Sequence, residues 1–312
     1  MKLLNIFTEF RNRIKIFIVI TISGKKHYLS LFRVSVVLMV LLMCWFALWL
    51  GKELVNDACV SREIRHTREV IREQRYVMHA CGAVSAGGIS SREYVYTNSK
   101  EAMKTMYENG HRVAEIDFLF SSDGYLLCSH EWENLYLNDV LIRDYPVTKE
   151  DFLKLKRYNE FSTMWLGDVA DFMRENEDLY VITDIFGGNE EGCRQIAEFC
   201  PDLMDRFIIQ IYHESEYEGI AQLGFKNIIF TLFGTNEDER SPDKLIKAAK
   251  DHRLVGYTFW YYWADDPLFL STMKKTKIPL YVHTVTDRNL EKKYFDMGIT
   301  AIYTDNNKEN HF

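Results

Sequence analysis

The sequence lacks the cysteine patterns that mark disulfide frameworks and zinc sites. It contains six cysteines in 312 residues, but no two form a Cys-x-x-Cys pair and none has metal-ligand spacing. Cys44 lies in an apolar run, and the remaining five are an odd number, so we expect mostly buried thiols rather than a complete framework. Cys193 and Cys200 are left as a weak candidate pair.

Repeats, low-complexity tracts and an excess of positive charge are also missing. No segment recurs with a period of roughly 20–50 residues, which argues against a repeat array. The net charge is −7, so nucleic acid is not an expected partner. The chain is rich in apolar residues, however. The apolar fraction of 47% is ample for a packed core in one large domain or two small ones.

One long apolar run, "VSVVLMVLLMCWFALWL" (residues 34–50), contains no charged residue. It predicts a transmembrane helix over residues 34–51, because that length suffices to cross a bilayer. Basic residues dominate the preceding segment, 1–33, so the positive-inside rule predicts a single-pass protein of the cell membrane with a cytoplasmic amino terminus and an extracytoplasmic remainder. A cleaved signal peptide is the alternative, but the run starts late and lacks a small-x-small exit. The run at 14–22 is too short to span and is interpreted as an interfacial or second, marginal segment.

A charged stalk and then a domain of alternating elements follow this run. Residues 52–74 are rich in charge and free of glycine and proline, which predicts a solvated helix without chemistry of its own. From residue 75 to 312, strand-like runs alternate with amphipathic helical ones. Eight strands with helices between them predict a (β/α)8 TIM barrel, with a doubly wound sheet as the alternative. The predicted strands are 75–80, 112–119, 179–185, 206–212, 226–232, 255–260, 279–285 and 300–304, and the helices lie near 98–109, 165–176, 189–199, 215–222, 242–252, 266–275 and 287–297.

The stretch "AEIDFLFSSDGYLLCSH" (residues 114–130) places two acids within a predicted strand. Residues i and i+2 of a strand share a face, so Glu115 and Asp117 project together, and in a barrel strand they would face the lumen near the carboxyl rim. Two close carboxylates repel each other unless a proton or a cation lies between them. A divalent cation, Mg²⁺ or Ca²⁺, suits such oxygen ligands. A pair of acids at a solvent-exposed edge is the alternative.

Further polar residues end neighbouring strand units. His79 closes the first strand and Asp184 the third. After the "SSDG" turn, residues 125–130 form a predicted hairpin arm that ends on His130. A single histidine after apolar residues is usually a core residue, but five such groups at one predicted rim indicate an active site.

In order and spacing, these residues resemble the glycerophosphodiester phosphodiesterase family, related to the phosphatidylinositol-specific phospholipase C barrels. The resemblance runs from His79 to Asp305. Its motifs are "HACG" for the family's His-Arg-Gly, "YTNSKEAM" with Asn98 and Ser99 for Pro-Glu-Asn-Thr, Glu115-Ile-Asp117 for Glu-x-Asp, Asp123-Gly124, His130-Glu131, Asp184 for a third-strand glutamate, "HTV" at 283–285 and "GITAIYTD" at 298–305.

Three family positions depart from this pattern. Ala80-Cys81 stand in place of the arginine that follows the first histidine, Phe186 in place of a lysine, and Thr97 in place of a glutamate. Two cations that help to hold an anionic phosphate are therefore absent at those positions. Arg92, in the loop after the first strand, is the candidate substitute.

The resemblance implies a metal-dependent phosphodiesterase. Glu115, Asp117 and Asp184 would hold the divalent metal cation, while His79 and His130 would act as base and acid. The substrate would be a glycerophosphodiester or a glycerophosphate unit of a lipid or wall polymer. Attack by the neighbouring glycerol hydroxyl and direct attack by water both stay open.

Four other residues at predicted strand ends are candidates for contacting the substrate, although packing is an equally good interpretation of each: Gln210, His213, Trp260 and His283. Two rival functions also remain. One is a barrel that binds without catalysis, and the other is a phospholipase acting on intact, membrane-embedded lipid.

Overall fold

The computed structural model describes residues 17–22, 25–86 and 92–307, and the chain divides into two compact units, Met1–Val60 and Ser61–Phe312. In the first unit, strand Phe17–Ile22 pairs antiparallel with Lys25–Ser30, and helix Leu31–Gln74 begins there and ends in the second unit. The run at 14–22 is therefore a strand over its described residues, consistent with its β-branched composition, while 14–16 lie outside the described residues.

The predicted membrane span forms part of the helix Leu31–Gln74. Its large apolar side chains between Val36 and Leu50 are exposed. Among the described residues, this is the one helix long and apolar enough to cross a membrane. The position of the apolar helix thus agrees with the sequence analysis.

Eight parallel strands in the second unit close into a barrel. Each strand pairs with the next along the chain, and the last pairs with the first through Ile302 and Tyr76. This closure confirms the predicted (β/α)8 TIM barrel and excludes the doubly wound sheet, whose first and last strands do not meet. The strands are β1 (Tyr76–Met78), β2 (Val113–Phe120), β3 (Tyr180–Ile185), β4 (Phe207–Ile211), β5 (Ile228–Thr231), β6 (Gly256–Trp260), β7 (Leu280–His283) and β8 (Ala301–Thr304).

A helix follows each of the first seven barrel strands and covers the outside of the barrel. These helices are α1 (Lys100–Glu108), α2 (Leu166–Glu175), α3 (Asn189–Phe199), α4 (Tyr217–Gln222), α5 (Pro242–Asp251), α6 (Pro267–Lys275) and α7 (Arg288–Asp296). Short 3₁₀ turns at His79–Cys81, Glu214–Glu216, Leu232–Gly234 and Tyr261–Asp265 follow β1, β4, β5 and β6. The two cysteines of the candidate disulfide, Cys193 and Cys200, are buried free thiols.

Strand β2 separates its apolar from its acidic residues by alternation. Ala114, Ile116 and Phe118 are fully buried in the core that the strands share with the helices. Glu115 and Asp117 have the opposite parity and line a cavity inside the barrel. The predicted orientation of the two acids follows from this alternation.

The second half of the predicted stalk is part of the barrel unit. Within residues 61–74 the side chain of Ile71 is fully buried, and the guanidinium of Arg68 donates to the carbonyl oxygen of Leu254, just before β6. Residues 61–74 are helical as predicted but are not fully solvated, because one face of the helix packs across the amino-terminal ends of the barrel strands. Further contacts at that end are Glu63–Lys226, Gln74–Arg112 and His66–Tyr180.

An unpredicted insertion, residues 129–165, follows the predicted hairpin arm. The arm itself, Leu126–Cys128, pairs antiparallel with the end of β2, as expected. The insertion forms a four-stranded antiparallel sheet in the order Phe161–Ser162, Lys156–Arg157, Leu135–Leu137, Val140–Leu141, with a short helix Lys149–Phe152. Leu135, Phe152 and Leu155 of the insertion pack with Leu127 of the arm and Leu119 of β2 in a small core. A two-stranded ribbon, Val84–Ser85 with Glu93–Tyr94, lies in the loop before α1.

Candidate active site

Three carboxylates meet at the carboxyl end of the barrel. Glu115 and Asp117 come from β2, and strand register places Asp184 of β3 directly beside Asp117. One oxygen from each residue lies within 4.8 Å of the others. Glu115 and Asp117 are buried, which excludes the alternative of acids at a solvent-exposed edge. Clustered carboxylate oxygens of this kind are the ligands that a hard divalent cation prefers.

Burial and mutual repulsion favour protonation of these carboxylates when no cation is bound. Burial, with the charges of Asp117 and Asp184, raises the pKa of Glu115 well above its ordinary value. Burial also raises the pKa of Asp117. Burial and the charge of Asp117 raise the pKa of Asp184 to about 7. A divalent cation bound among the three carboxylates would offset both effects.

Each carboxylate is oriented by one hydrogen-bond donor from a neighbouring element. The backbone N–H of Ala80 donates to Glu115 Oε2 over 2.8 Å. The amide of Asn98 donates to Asp117 Oδ2 over 2.8 Å and accepts from the Asp117 backbone N–H over 3.1 Å. The hydroxyl of Tyr212 donates to Asp184. Ala80 and Asn98 both adopt positive φ angles, 46° and 44°, so the turns that carry these donors are locally strained.

The first histidine is paired with a carboxylate from the adjacent strand. His79 follows β1 and Asp305 follows β8, and His79 Nδ1 lies 2.8 Å from Asp305 Oδ1. With its Nδ1 proton donated to Asp305, the imidazole leaves the lone pair of Nε2 available. Asp305 was identified from the sequence only as part of a motif, and its position directly after β8 was the signal for a role at the rim.

The second histidine is held differently. His130 is exposed, and its ring lies edge-on to Tyr96 and to Phe186, with ring centroids 5.2 Å apart in both pairs. Tyr96 also contacts the His79 ring at 4.5 Å, so one phenol ring lies against both histidines. Burial, with the charge of Asp305, raises the pKa of Tyr96 to about 12, which keeps the phenol neutral.

These groups surround a cavity of ≈ 250 Å³. Eight of the ten candidate site residues line it: His79, Glu115, Asp117, His130, Asp184, Gln210, Trp260 and His283. The other lining residues are Tyr96, Phe186, Phe233, Thr284 and Tyr303, none of which was among the candidates. Among the described residues, no lysine or arginine lines this cavity.

The other two candidates lie elsewhere. Arg92 does not line the cavity, and its guanidinium lies over the ring of Tyr94 at 4.7 Å. His213 is exposed and pairs through Nδ1 with Glu239 at 2.9 Å. The reason for the misplacement of His213 is parity: Tyr212, one residue earlier, extends the face of β4 that points towards the carboxylates, so His213 points away.

An aromatic wall faces the carboxylates across the cavity. His283 stacks on Trp260, with ring centroids 4.4 Å apart, and lies 4.6 Å from the ring of Phe233. Burial, with a smaller contribution from His79, lowers the pKa of His283 to about 3, so this imidazole is neutral. Its Nε2 is buried and finds no hydrogen-bond partner in the described part of the chain. His283 therefore fits a hydrogen-bonding role better than acid–base work.

Fold and site together define a (β/α)8 barrel with an acidic, histidine-bearing cavity at the carboxyl ends of its strands. No family model and no curated relative matches the chain. Solved structures do. A glycerophosphodiester phosphodiesterase from Thermotoga maritima has a TM-score of 0.58 at 17% identity, covering 75% of this chain and 95% of that one. One from Parabacteroides distasonis has a TM-score of 0.56 at 18% identity, with coverages of 74% and 92%.

A phosphodiesterase from Oleispira antarctica, solved in complex with the product sn-glycerol-3-phosphate, has a TM-score of 0.54 at 15% identity, covering 74% of this chain and 92% of that one. At such identities the similarity establishes the fold. The resemblance predicted from the sequence motifs is thus confirmed at the level of the barrel.

Proposed function

We propose that this protein is a metal-dependent phosphodiesterase that hydrolyses glycerophosphodiesters. The observation that carries the proposal is the convergence of two histidines and three carboxylates on one cavity at the carboxyl end of the barrel. Active sites of such barrels lie at this end. The neighbours that share the fold include a phosphodiesterase with bound sn-glycerol-3-phosphate, which supports a substrate of the same class.

The donor set fits a divalent cation. Glu115, Asp117 and Asp184 offer only oxygen ligands, and no lysine or arginine among the described lining residues balances their charge. When bound there, Mg²⁺ or Ca²⁺ would neutralise a phosphodiester oxygen and lower the pKa of a nearby water or hydroxyl. The hydrogen bonds from Ala80, Asn98 and Tyr212 hold the three ligands in place for this purpose.

The two histidines divide the proton transfers. His79, with Nδ1 fixed by Asp305, accepts a proton at Nε2 from the attacking hydroxyl or water. His130, on the exposed side of the cavity, donates a proton to the departing alkoxide and exchanges protons with solvent. The ring of Tyr96 is in contact with both imidazoles.

The amino-terminal segments complete the proposal. Residues 1–33 are the cytoplasmic segment, 34–51 the single membrane span, 52–74 the helical connection and 75–312 the enzyme, on the extracytoplasmic side. The apolar helix and the excess of basic residues before it support this arrangement. Substrates would then be released lipid head groups or glycerophosphate polymers outside the cytoplasm.

A purified full-length chain in detergent tests the activity. It should release glycerol phosphate from glycerophosphoethanolamine when Mg²⁺ or Ca²⁺ is present and not after chelation by EDTA. Asp117→Asn should abolish the release, whereas Asp171→Asn, on the exposed surface of α2, should leave it intact. Release of diacylglycerol from intact phospholipid instead would identify a phospholipase. Absence of hydrolysis with either cation would leave a binding module, a function favoured by the absence of arginine and lysine from the described lining residues.

A further inference from the structure

The described structure leaves His130 without a hydrogen bond of its own. Its ring lies edge-on to Tyr96 and Phe186, and no hydrogen bond to its side chain occurs among the described residues. His79, in contrast, is fixed through Nδ1 by Asp305. The position of His130 must therefore depend on whatever holds the backbone of its loop.

One arginine binds that loop on both sides of His130. The guanidinium of Arg157 donates through Nη1 to the carbonyl oxygen of Glu133 and through Nη2 to the hydroxyl of Ser129. Nη2 also donates to the carbonyl oxygen of Glu131 over 3.2 Å. The residues before and after the histidine are thus attached to one rigid, planar group.

The same loop is connected to the carboxylate cluster. The Ser129 hydroxyl donates to the carbonyl oxygen of Glu131 over 2.6 Å, which tightens the turn around His130. The Ser129 backbone N–H donates to the carbonyl oxygen of Asp117 over 2.9 Å. Arg157 therefore sets the position of His130 relative to the residues that would hold the cation.

The side-chain hydrogen bonds of Arg157 all go to the His130 loop. Its side chain is buried, with 3% of the residue exposed, and it does not line the cavity. In the described ranges, no carboxylate lies within ion-pair distance of its guanidinium, so all of its hydrogen bonds go to oxygens of the His130 loop. A cation in this environment is costly, because burial disfavours its charge.

We propose that Arg157 is a positioning residue that places His130 for proton transfer to the leaving group. The role rests on the proposed phosphodiesterase function. Its signature is specific: loss of Arg157 should slow only those reactions that need the proton from His130. A displacement of about 1 Å at a catalytic group can cost roughly 10²-fold in rate.

The test compares two leaving groups in the full-length protein with saturating Mg²⁺. Arg157→Met should lower kcat for glycerophosphoethanolamine by about 10- to 100-fold. It should change kcat for bis(p-nitrophenyl) phosphate by less than about 3-fold, since p-nitrophenolate departs without an acid. In a His130→Ala background, Arg157→Met should have less than about a 2-fold further effect, because the two residues act on one step.

The matched control is Arg206→Met. Arg206 also donates to three carbonyl oxygens, those of Met173, Asn176 and Leu179, but it lies at the amino-terminal end of β4, away from the cavity. We expect no dependence on the leaving group there. If Arg157→Met does not fold, as judged by circular dichroism, Arg157→Lys replaces it in the same cycle, since the single nitrogen of a lysine ammonium cannot reproduce the geometry in which two guanidinium nitrogens contact Glu133 and Ser129.

Equal losses on both substrates would overturn the assignment. So would an undiminished effect of the Arg157 variant in the His130→Ala background, or the same leaving-group dependence in Arg206→Met. Failure of the proposed function would give a different result, because the wild-type protein would then hydrolyse neither substrate. In that case the positioning role of Arg157 would also be refuted.

Discussion

Replacing Asp305 by asparagine perturbs the single hydrogen bond that orients His79. In the wild-type protein the carboxylate can only accept, so the Nδ1 proton stays on the side of Asp305 and Nε2 keeps its lone pair for the substrate. An asparagine can donate from its amide to Nδ1 instead. The proton would then reside on Nε2, and His79 could not act as a base.

The size of the effect follows from the geometry. In a buried serine-protease triad, the same change from carboxylate to amide lowers kcat by about 10⁴-fold. Here the side chains of His79 and Asp305 are 10% and 18% exposed, so water can compensate in part, and we expect a loss of about 10²- to 10³-fold in kcat. KM for glycerophosphoethanolamine should stay within about 3-fold, because Asp305 does not line the cavity.

Steady-state kinetics of the full-length protein measures both constants. Glu239→Gln is the matched control, since it removes the carboxylate from another described histidine–acid pair, His213–Glu239, which lies outside the cavity. Wild-type kcat in Asp305→Asn would refute the reasoning. An equal loss in both variants would attribute it to stability rather than to the orientation of His79.

Four further predictions concern the histidines, the cation, the pH dependence of stability and the topology. His79→Ala and His130→Ala should each lose about 10²- to 10⁴-fold in kcat, and the double variant should lose little more than the poorer single one. Substrates with a p-nitrophenyl leaving group should rescue only the variant that lacks the acid. Rescue of both variants or of neither would contradict the assigned roles. Glu115→Gln should abolish binding of Mg²⁺ and Ca²⁺ in calorimetry. Because the pKa of Asp184 is raised to about 7 from 3.8, the metal-free folded chain binds a proton that the unfolded chain has lost, so its Tm should fall as pH rises through that interval; a rising Tm would contradict this contribution. A reporter fused after Phe312 should be active only if it requires export, and activity of a cytoplasm-restricted reporter would reverse the topology.

The periodicity of the sequence was sufficient for the barrel and for most of its rim. Long apolar runs alternating with amphipathic ones located all eight strands, and the i, i+2 spacing of Glu115 and Asp117 placed both in the lumen. The insertion was not predicted because its strands are two or three residues long, which is too short for a hydrophobic periodicity to appear. Its residues form a fold through pairing between distant segments, which composition does not reveal.

Residues that act through loops were the hardest to predict. Tyr212 and Asp305 follow strand ends, and parity or motif position could have indicated them. Tyr96 and Phe233 reach the cavity from loops, where no periodicity predicts direction. Arg92 was proposed to compensate for missing cations, but its guanidinium packs on an aromatic ring instead. No arginine or lysine among the described lining residues therefore replaces the two cations that the family motifs contain and this sequence lacks.

The insertion has a consequence for how the chain opens. His79 directly follows barrel strand β1, whereas His130 lies in the insertion, whose sheet has very short strands and a small core of five apolar residues that it shares with the arm and with Leu119 of β2. Small clusters of this kind open locally at lower free energy than a continuous barrel. Backbone amides of residues 135–162 should therefore exchange with deuterium before those of β2 and β3. His79 and His130 would then belong to separate cooperative units of unfolding. The insertion that carries His130 could therefore change in evolution while the barrel that carries His79 is retained.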